Sequence, residues 1–281
     1  MPTTPASPPR PMQTELAVLA ASFRRDWRIA RSYRLAFVLR LVGTVFQVVV
    51  FFFISQLVGV AQHPALAAYG GNYFAYVLIG LAFQRFFNLS LAGYASALTE
   101  AQQTGTLEAQ AVLPVSLPWL AAGSNLWPYL YATAETILYL LLGVVLGAPL
   151  AGANLWGAAL VTVLASLAIS GPGLMGAALI LLYKRGNAVA WGVEAAAALL
   201  SGVFFPPELL PAPLARLSVL LPQTHALEGL RAALLEAAPT ADLWPQLAAL
   251  TLFSLVLLPA GVLALNLSYR RAQIKGSLAQ Y

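Results

Sequence analysis

An all-α integral membrane protein is the fold class this sequence predicts, and three observations carry that prediction. Hydrophobic residues make up 60% and charged residues 9% of the 281 positions, more apolar surface than a water-soluble globule can hide. Six regions hold apolar runs near the roughly 20 residues that cross hydrocarbon as a helix. They are Ala36 to Val60, Tyr73 to Leu91, Trp119 to Leu146, Leu155 to Tyr183, Ala188 to Phe205 and Leu243 to Leu267. Basic residues gather at the ends of these runs, on one side when six crossings alternate.

Taken in order, residues 1–14 open MPTTPASPPRPMQ. The stretch is proline-rich with no apolar core, so it is expected to be a disordered cytoplasmic tail and not a secretory signal. Residues 15–35 place Leu16, Leu19, Phe23, Trp27 and Ala30 at helical spacing, with Arg24, Arg28 and Arg31 on another face. This predicts an amphipathic helix lying in the inner interface, as a membrane anchor or as a contact for a soluble partner.

Residues 36–281 form the predicted six-helix transmembrane domain. Arg10, Arg24, Arg25, Arg28, Arg31, Arg34 and Arg40 precede or begin the first span, Lys184 and Arg185 fall between the fourth and fifth, and Arg270, Arg271 and Lys275 follow the sixth. Both termini are therefore expected in the cytoplasm. The third and fourth spans meet at GAPLAGANLW, where Gly147, Pro149, Gly152 and Asn154 predict a very short hairpin.

Three ionisable residues, Arg85, Glu135 and Glu194, lie inside spans, where each needs a partner or water. Arg85 and Glu194 both fall about 9 Å from the inner ends of their spans, at 1.5 Å per residue. A buried pair between them, a role on a transport path, and snorkelling of Arg85 to the inner surface all fit. Glu135 suits either a hydrated route or a bond to a neighbouring helix.

The connector at 97–118 is short and polar. Gly105 is expected to break the preceding helix, Thr106 to supply a capping hydroxyl, and Glu108 to occupy the first turn of a new helix, where the dipole favours a carboxylate. Pro114 and Pro118 would end that helix. The outer segment 206–239 is broken by Pro206, Pro207, Pro211, Pro213 and Pro222, yet Leu227, Leu230 and Leu234 form a helical stripe opposite Glu228 and Arg231. A re-entrant or surface-lying helical pair is predicted there.

Several function classes are excluded or disfavoured. The net charge of +5 resides mainly in residues flanking the spans, which anionic headgroups explain without nucleic acid. With no cysteine and two histidines, neither a thiolate nor a clustered metal site is expected. No G-x-x-x-x-G-K-[ST] occurs, so no nucleotide cofactor is expected on this chain. No cluster of Asp, His or Ser at one depth suggests a membrane enzyme.

Glu100, Gly105-Thr106-Leu107-Glu108 and Leu113-Pro114-Val115-Ser116 resemble the cytoplasmic loop of the ABC-2 family of exporter permeases, the group of the daunorubicin-resistance and polysaccharide-export permeases. Ser201 to Leu235 resembles the family's segment before the last span, through Phe205-Pro206, Leu210-Pro211, Leu221-Pro222, Thr224 and Arg231. Gln102, Gln103 and Thr104 stand where the family usually has charged residues. The resemblance implies a permease in a bacterial plasma membrane that dimerises and binds two copies of an ATPase, which supplies ATP and Mg. Residues 106–112 would act as a coupling helix, driven through Glu100, Gly105, Thr106, Leu107 and Glu108. Pro206, Pro207, Pro222, Thr224 and Arg231 would belong to an outer gate or lid for a hydrophobic or amphipathic cargo. Two other transporter classes fit the sequence less well. Glu100-Ala101 with Val115-Ser116-Leu117-Pro118 partly imitates the loop of importer permeases, but Gly105 comes one residue early and the loop follows the second span. An ion-coupled secondary transporter would need a repeat of two halves, and none is visible. Gly143, Gly147, Gly171, Gly173, Gly176 and Ala195 to Ala198 are candidates for a dimer seam or for ordinary packing between helices.

Overall fold

The computed structural model describes residues 11–32, 34–58, 72–106, 117–183 and 187–274. Among them every regular element is helical. In chain order these are α1 (Pro11–Ser32), α2 (Arg34–Val58), α3 (Tyr73–Gln103), α4 (Leu117–Val145), α5 (Leu155–Tyr183) and α6 (Asn187–Leu200), then a 3₁₀ turn (Pro207–Leu209), α7 (Ala212–Ser218), α8 (Pro222–Leu235) and α9 (Trp244–Ile274).

Five of these helices, α2, α3, α4, α5 and α9, are long and apolar enough to cross a membrane. The sixth expected span, Ala188 to Phe205, differs from expectation. Its helix α6 has 14 residues, or about 21 Å against a hydrocarbon layer of about 30 Å. It stops because Gly202 turns into the left-handed region at φ +84, and Pro206 and Pro207 then cannot continue a helix.

The described part of α1 opens on Pro11, so residues 11–14, expected as tail, are helical. Part of its apolar face packs on another helix. Phe23 and Trp27 close on Trp127 of α4 with ring centroids 5.7 and 5.2 Å apart, while Arg24, Arg25, Arg28 and Arg31 stay exposed.

α5 is the central post. Gly171 leaves room for the α9 backbone at Leu257, Gly261 returns the favour against Gly171, and Gly173 lets the α3 backbone at Ser90 and Leu91 approach. A side chain at any of these three would collide with main chain, which is how small residues let membrane helices pack closely. Gly171 and Gly173 thus serve packing within the protomer, and Gly143 likewise meets Leu78 of α3. The α4–α5 hairpin is short, as its glycines and proline predict: Gly147 and Gly152 adopt φ +89 and +88. Asn154 caps α5 by accepting from Gly157 N–H at 2.8 Å.

α3 runs well past Leu91 as one uninterrupted helix of 31 residues, about 46 Å long and thus some 16 Å longer than the hydrocarbon. The extension is helical because Ala95, Leu98 and Ala101 recur on one face and pack on Leu174, Ala177 and Leu181 of α5. A larger cluster at the other end joins the first half of α3 to α5, α8 and α9 through Tyr76, Ile79, Val161, Leu227, Leu230 and Leu250.

Candidate functional site

The described part of the connector is the end of α3. Thr106 N–H reaches Ala101 carbonyl at 2.9 Å and Gly105 N–H reaches Gln102 carbonyl at 3.1 Å, with Gly105 left-handed at φ +66. This is the paired 6→1 and 5→2 closure that a left-handed glycine makes possible at a helix terminus. Thr106 also donates its hydroxyl to Ala101 carbonyl at 3.3 Å. Its hydroxyl therefore helps to close α3, and the following helix it is expected to cap lies outside the described residues. Glu100 is exposed and its carbonyl accepts from Thr104 N–H at 2.9 Å. Leu107, Glu108 and the expected helix ended by Pro114 lie outside the described residues.

At the opposite end of α3 the outer segment is gripped by a charge. Arg231 of α8 is 1% exposed. Its Nη2 donates to Gly202 carbonyl at 2.7 Å, its Nε to Tyr76 carbonyl at 3.4 Å, and its guanidinium lies 3.4 Å from the Tyr76 ring centroid. Tyr76 hydroxyl donates to the same Gly202 carbonyl at 2.9 Å. One carbonyl, turned by glycine's positive φ, thus joins α3, the end of α6 and α8. Burying a guanidinium is tolerable only when its N–H groups are answered in this way.

The other outer-segment residues shape the chain around this point. Pro206 and Pro207 start the 3₁₀ turn, and Pro222 opens α8. Buried Thr224 donates to Ser218 carbonyl at 2.6 Å, closing the α7–α8 bend. Gln223 Nε2 donates to Gln84 of α3 at 3.2 Å, whereas at the far end of α8 Ala233 carbonyl accepts from Asn154 N–H at 2.8 Å. Glu228 Oε2 lies 3.9 Å from His225 Nδ1 on the same helix.

The buried pair of Arg85 with Glu194, one of the three arrangements their depths allow, is not formed. Arg85 lies within electrostatic reach of Glu194 but makes no direct ion pair with it. On α3 it stands opposite the stretch of α4 between Tyr129, which packs on Phe86 at 6.0 Å, and Thr136, which donates to Ala82 carbonyl at 2.6 Å. Glu135 Oε1 accepts from Thr44 of α2 at 3.0 Å. Glu135 therefore bonds a neighbouring helix, one of the two roles its sequence position allowed.

Sequence reasoning missed Tyr76, Gly202 and the Gln84–Gln223 bond. The double proline after Gly202 was the available signal for a turn, but nothing local indicates that its carbonyl faces α3. Among the described residues no group of His, Asp or Glu could hold a metal.

Curated proteins offer no match to this chain. The family model for ABC-2 type transporters matches residues 16–235, a stretch that begins in α1, takes in the connector and ends with α8. A multi-helix membrane domain joined to that match over most of its length makes the chain a transport subunit and not a catalytic one, and it belongs to the ABC-2 type transporter family.

Proposed function

We propose that this chain is the membrane half of an ATP-driven exporter that moves a hydrophobic or amphipathic cargo out of the cytoplasm or the inner leaflet. Two copies would enclose the path, and two ATPase subunits, holding nucleotide and Mg, would drive it. α6 and the turn after it complete a sixth crossing, so both termini lie in the cytoplasm of a bacterial cell. α8 is re-entrant: Pro222 points toward mid-depth beside Gln84, and Leu235 returns to the outer surface near Asn154.

One observation carries the reading: α3 is unbroken from Tyr76, held by Arg231, to the Gly105 terminus from which the coupling connector departs. A rigid helix that begins at the connector and ends at the outer segment is a fitting transmitter for alternating access. ATP-driven closure of the cassettes would displace the connector, and α3 would carry that displacement to α8.

The test is co-purification with the ATPase encoded beside this chain, with ATP hydrolysis read in lipid nanodiscs for wild type and Glu108→Lys. A stable complex whose hydrolysis is weakened by the substitution supports the exporter and the coupling role together. A chain that purifies alone and moves solute under an ion gradient would instead be a secondary transporter.

A further inference from the structure

Where α2, α3 and α4 meet, one guanidinium lies over an aromatic ring, and a second guanidinium and a carboxylate lie within electrostatic reach of the same residue, with no ion pair among the three charges. Arg40 lies 5.1 Å from the Tyr131 ring centroid, and Arg85 and Glu135 both act electrostatically on the same Tyr131. Tyr131 lies about 21 Å, and Glu135 about 15 Å, from the outer end of α4. The group therefore occupies the inner half of a layer about 30 Å thick.

Its hydrogen bonding is incomplete in a specific way. Arg85 Nε is buried and donates to nothing, and Glu135 Oε2 is buried and accepts nothing, because Thr44 takes only Oε1. Unanswered polar atoms at this depth are costly. Nearby on α2, Leu39, Val42 and Phe46 are exposed and apolar. A guanidinium is the group best shaped to take an oxyanion, and it can rest on an aromatic face until one arrives.

We propose that Arg40 and Arg85, with Tyr131 between them and Glu135 above, form an intramembrane site for the phosphate of an inner-leaflet amphiphile whose head also carries a hydrogen-bond donor. The phosphate oxygens take Arg85 Nε and the Arg40 guanidinium. A hydroxyl or ammonium of the head donates to Glu135 Oε2, and the acyl chains lie along the apolar flank of α2. As a binding site this stands independently of the transport mechanism. As the place where cargo is first held, it rests on the exporter reading.

The experiment uses the full chain purified alone, without an ATPase, from nanodiscs containing phosphatidylglycerol, phosphatidylcholine and diacylglycerol. Native mass spectrometry reads which lipids stay bound. Wild type is expected to retain phosphatidylglycerol several-fold over diacylglycerol, and more than phosphatidylcholine, whose head lacks a donor. Arg85→Gln and Arg40→Gln should each lose most of that preference. The triple change Arg24→Gln, Arg28→Gln, Arg31→Gln on the exposed face of α1 should keep it. Should Arg85→Gln prove unstable in a melting assay, Arg85→Lys, which keeps the charge but removes Nε, takes its place with the same expected loss. Unchanged retention in the site variants, or a loss that follows the α1 triple, overturns the proposal. Displacement of the lipid by excess inorganic phosphate would overturn its amphiphile part, leaving a site for a free oxyanion. Failure of the ATPase to co-purify bears on the exporter reading alone and leaves this result unaltered.

Discussion

Arg231 sits where a charge survives only if its donors are used, and they are: two carbonyls and an aromatic face receive it. Replacing it with methionine keeps the volume but strips out charge-assisted hydrogen bonds and a desolvated cation–π contact, a loss of about 2–4 kcal/mol. Arg231→Met should therefore melt well below wild type in detergent, and Arg231→Lys, which cannot span both carbonyls, should fall between. Gly202→Ala should be as harmful, since a Cβ there strains a φ of +84 and meets Pro207 Cδ at 2.8 Å. A melting curve indistinguishable from wild type for Arg231→Met would show that the guanidinium does not hold α8.

Helices in this protein approach one another through missing side chains. A leucine at Gly171 or Gly173 would drive Cβ into the backbone of α9 or α3, and with main chain as the obstacle the cost should exceed the usual 1–3 kcal/mol of overpacking, at about 3 kcal/mol or more. Gly176, one turn further, has nothing within 4 Å, so Gly176→Ala should leave protomer stability unaltered. Size-exclusion profiles after detergent extraction would separate the two classes. Equal behaviour of Gly171→Leu and Gly176→Ala would mean that α5 and α9 do not cross as described. The end of α3 obeys a related rule: a left-handed non-glycine residue costs about 1–2 kcal/mol. Gly105→Ala, with open space around it, should loosen the helix terminus without harming the core, as hydrogen exchange confined to residues near 101–106 would report.

At the scale of the whole molecule, the number of crossings decides which segments share a side of the membrane. The chain has no cysteine, so single cysteines introduced at Thr104, Ala241 and Arg271 can be labelled one at a time. With six crossings, a membrane-impermeant maleimide should reach Ala241→Cys in intact cells and Thr104→Cys and Arg271→Cys only after permeabilisation. Labelling of Arg271→Cys in intact cells, with Thr104→Cys still protected, would mean that α6 does not cross. Such a topology would place the carboxyl end and the connector on opposite sides of the membrane.

By itself, the sequence determined the membrane class, the five long apolar helices, with α2, α4 and α5 nearly to their ends, the α4–α5 hairpin and the family, because hydropathy, glycine and proline act locally and leave a direct trace in composition and spacing. Tertiary structure alone decided that α6 stops at Leu200, that α3 continues to Gln103 on the support of α5, and that Gly171 and Gly173 serve packing within the protomer. It also decided that Arg231 reaches Tyr76 from 155 residues away and that Arg85 makes no ion pair with Glu194. A buried charge is placed by whichever carbonyls and rings other helices bring to it, and no periodicity along one helix records what stands on the next.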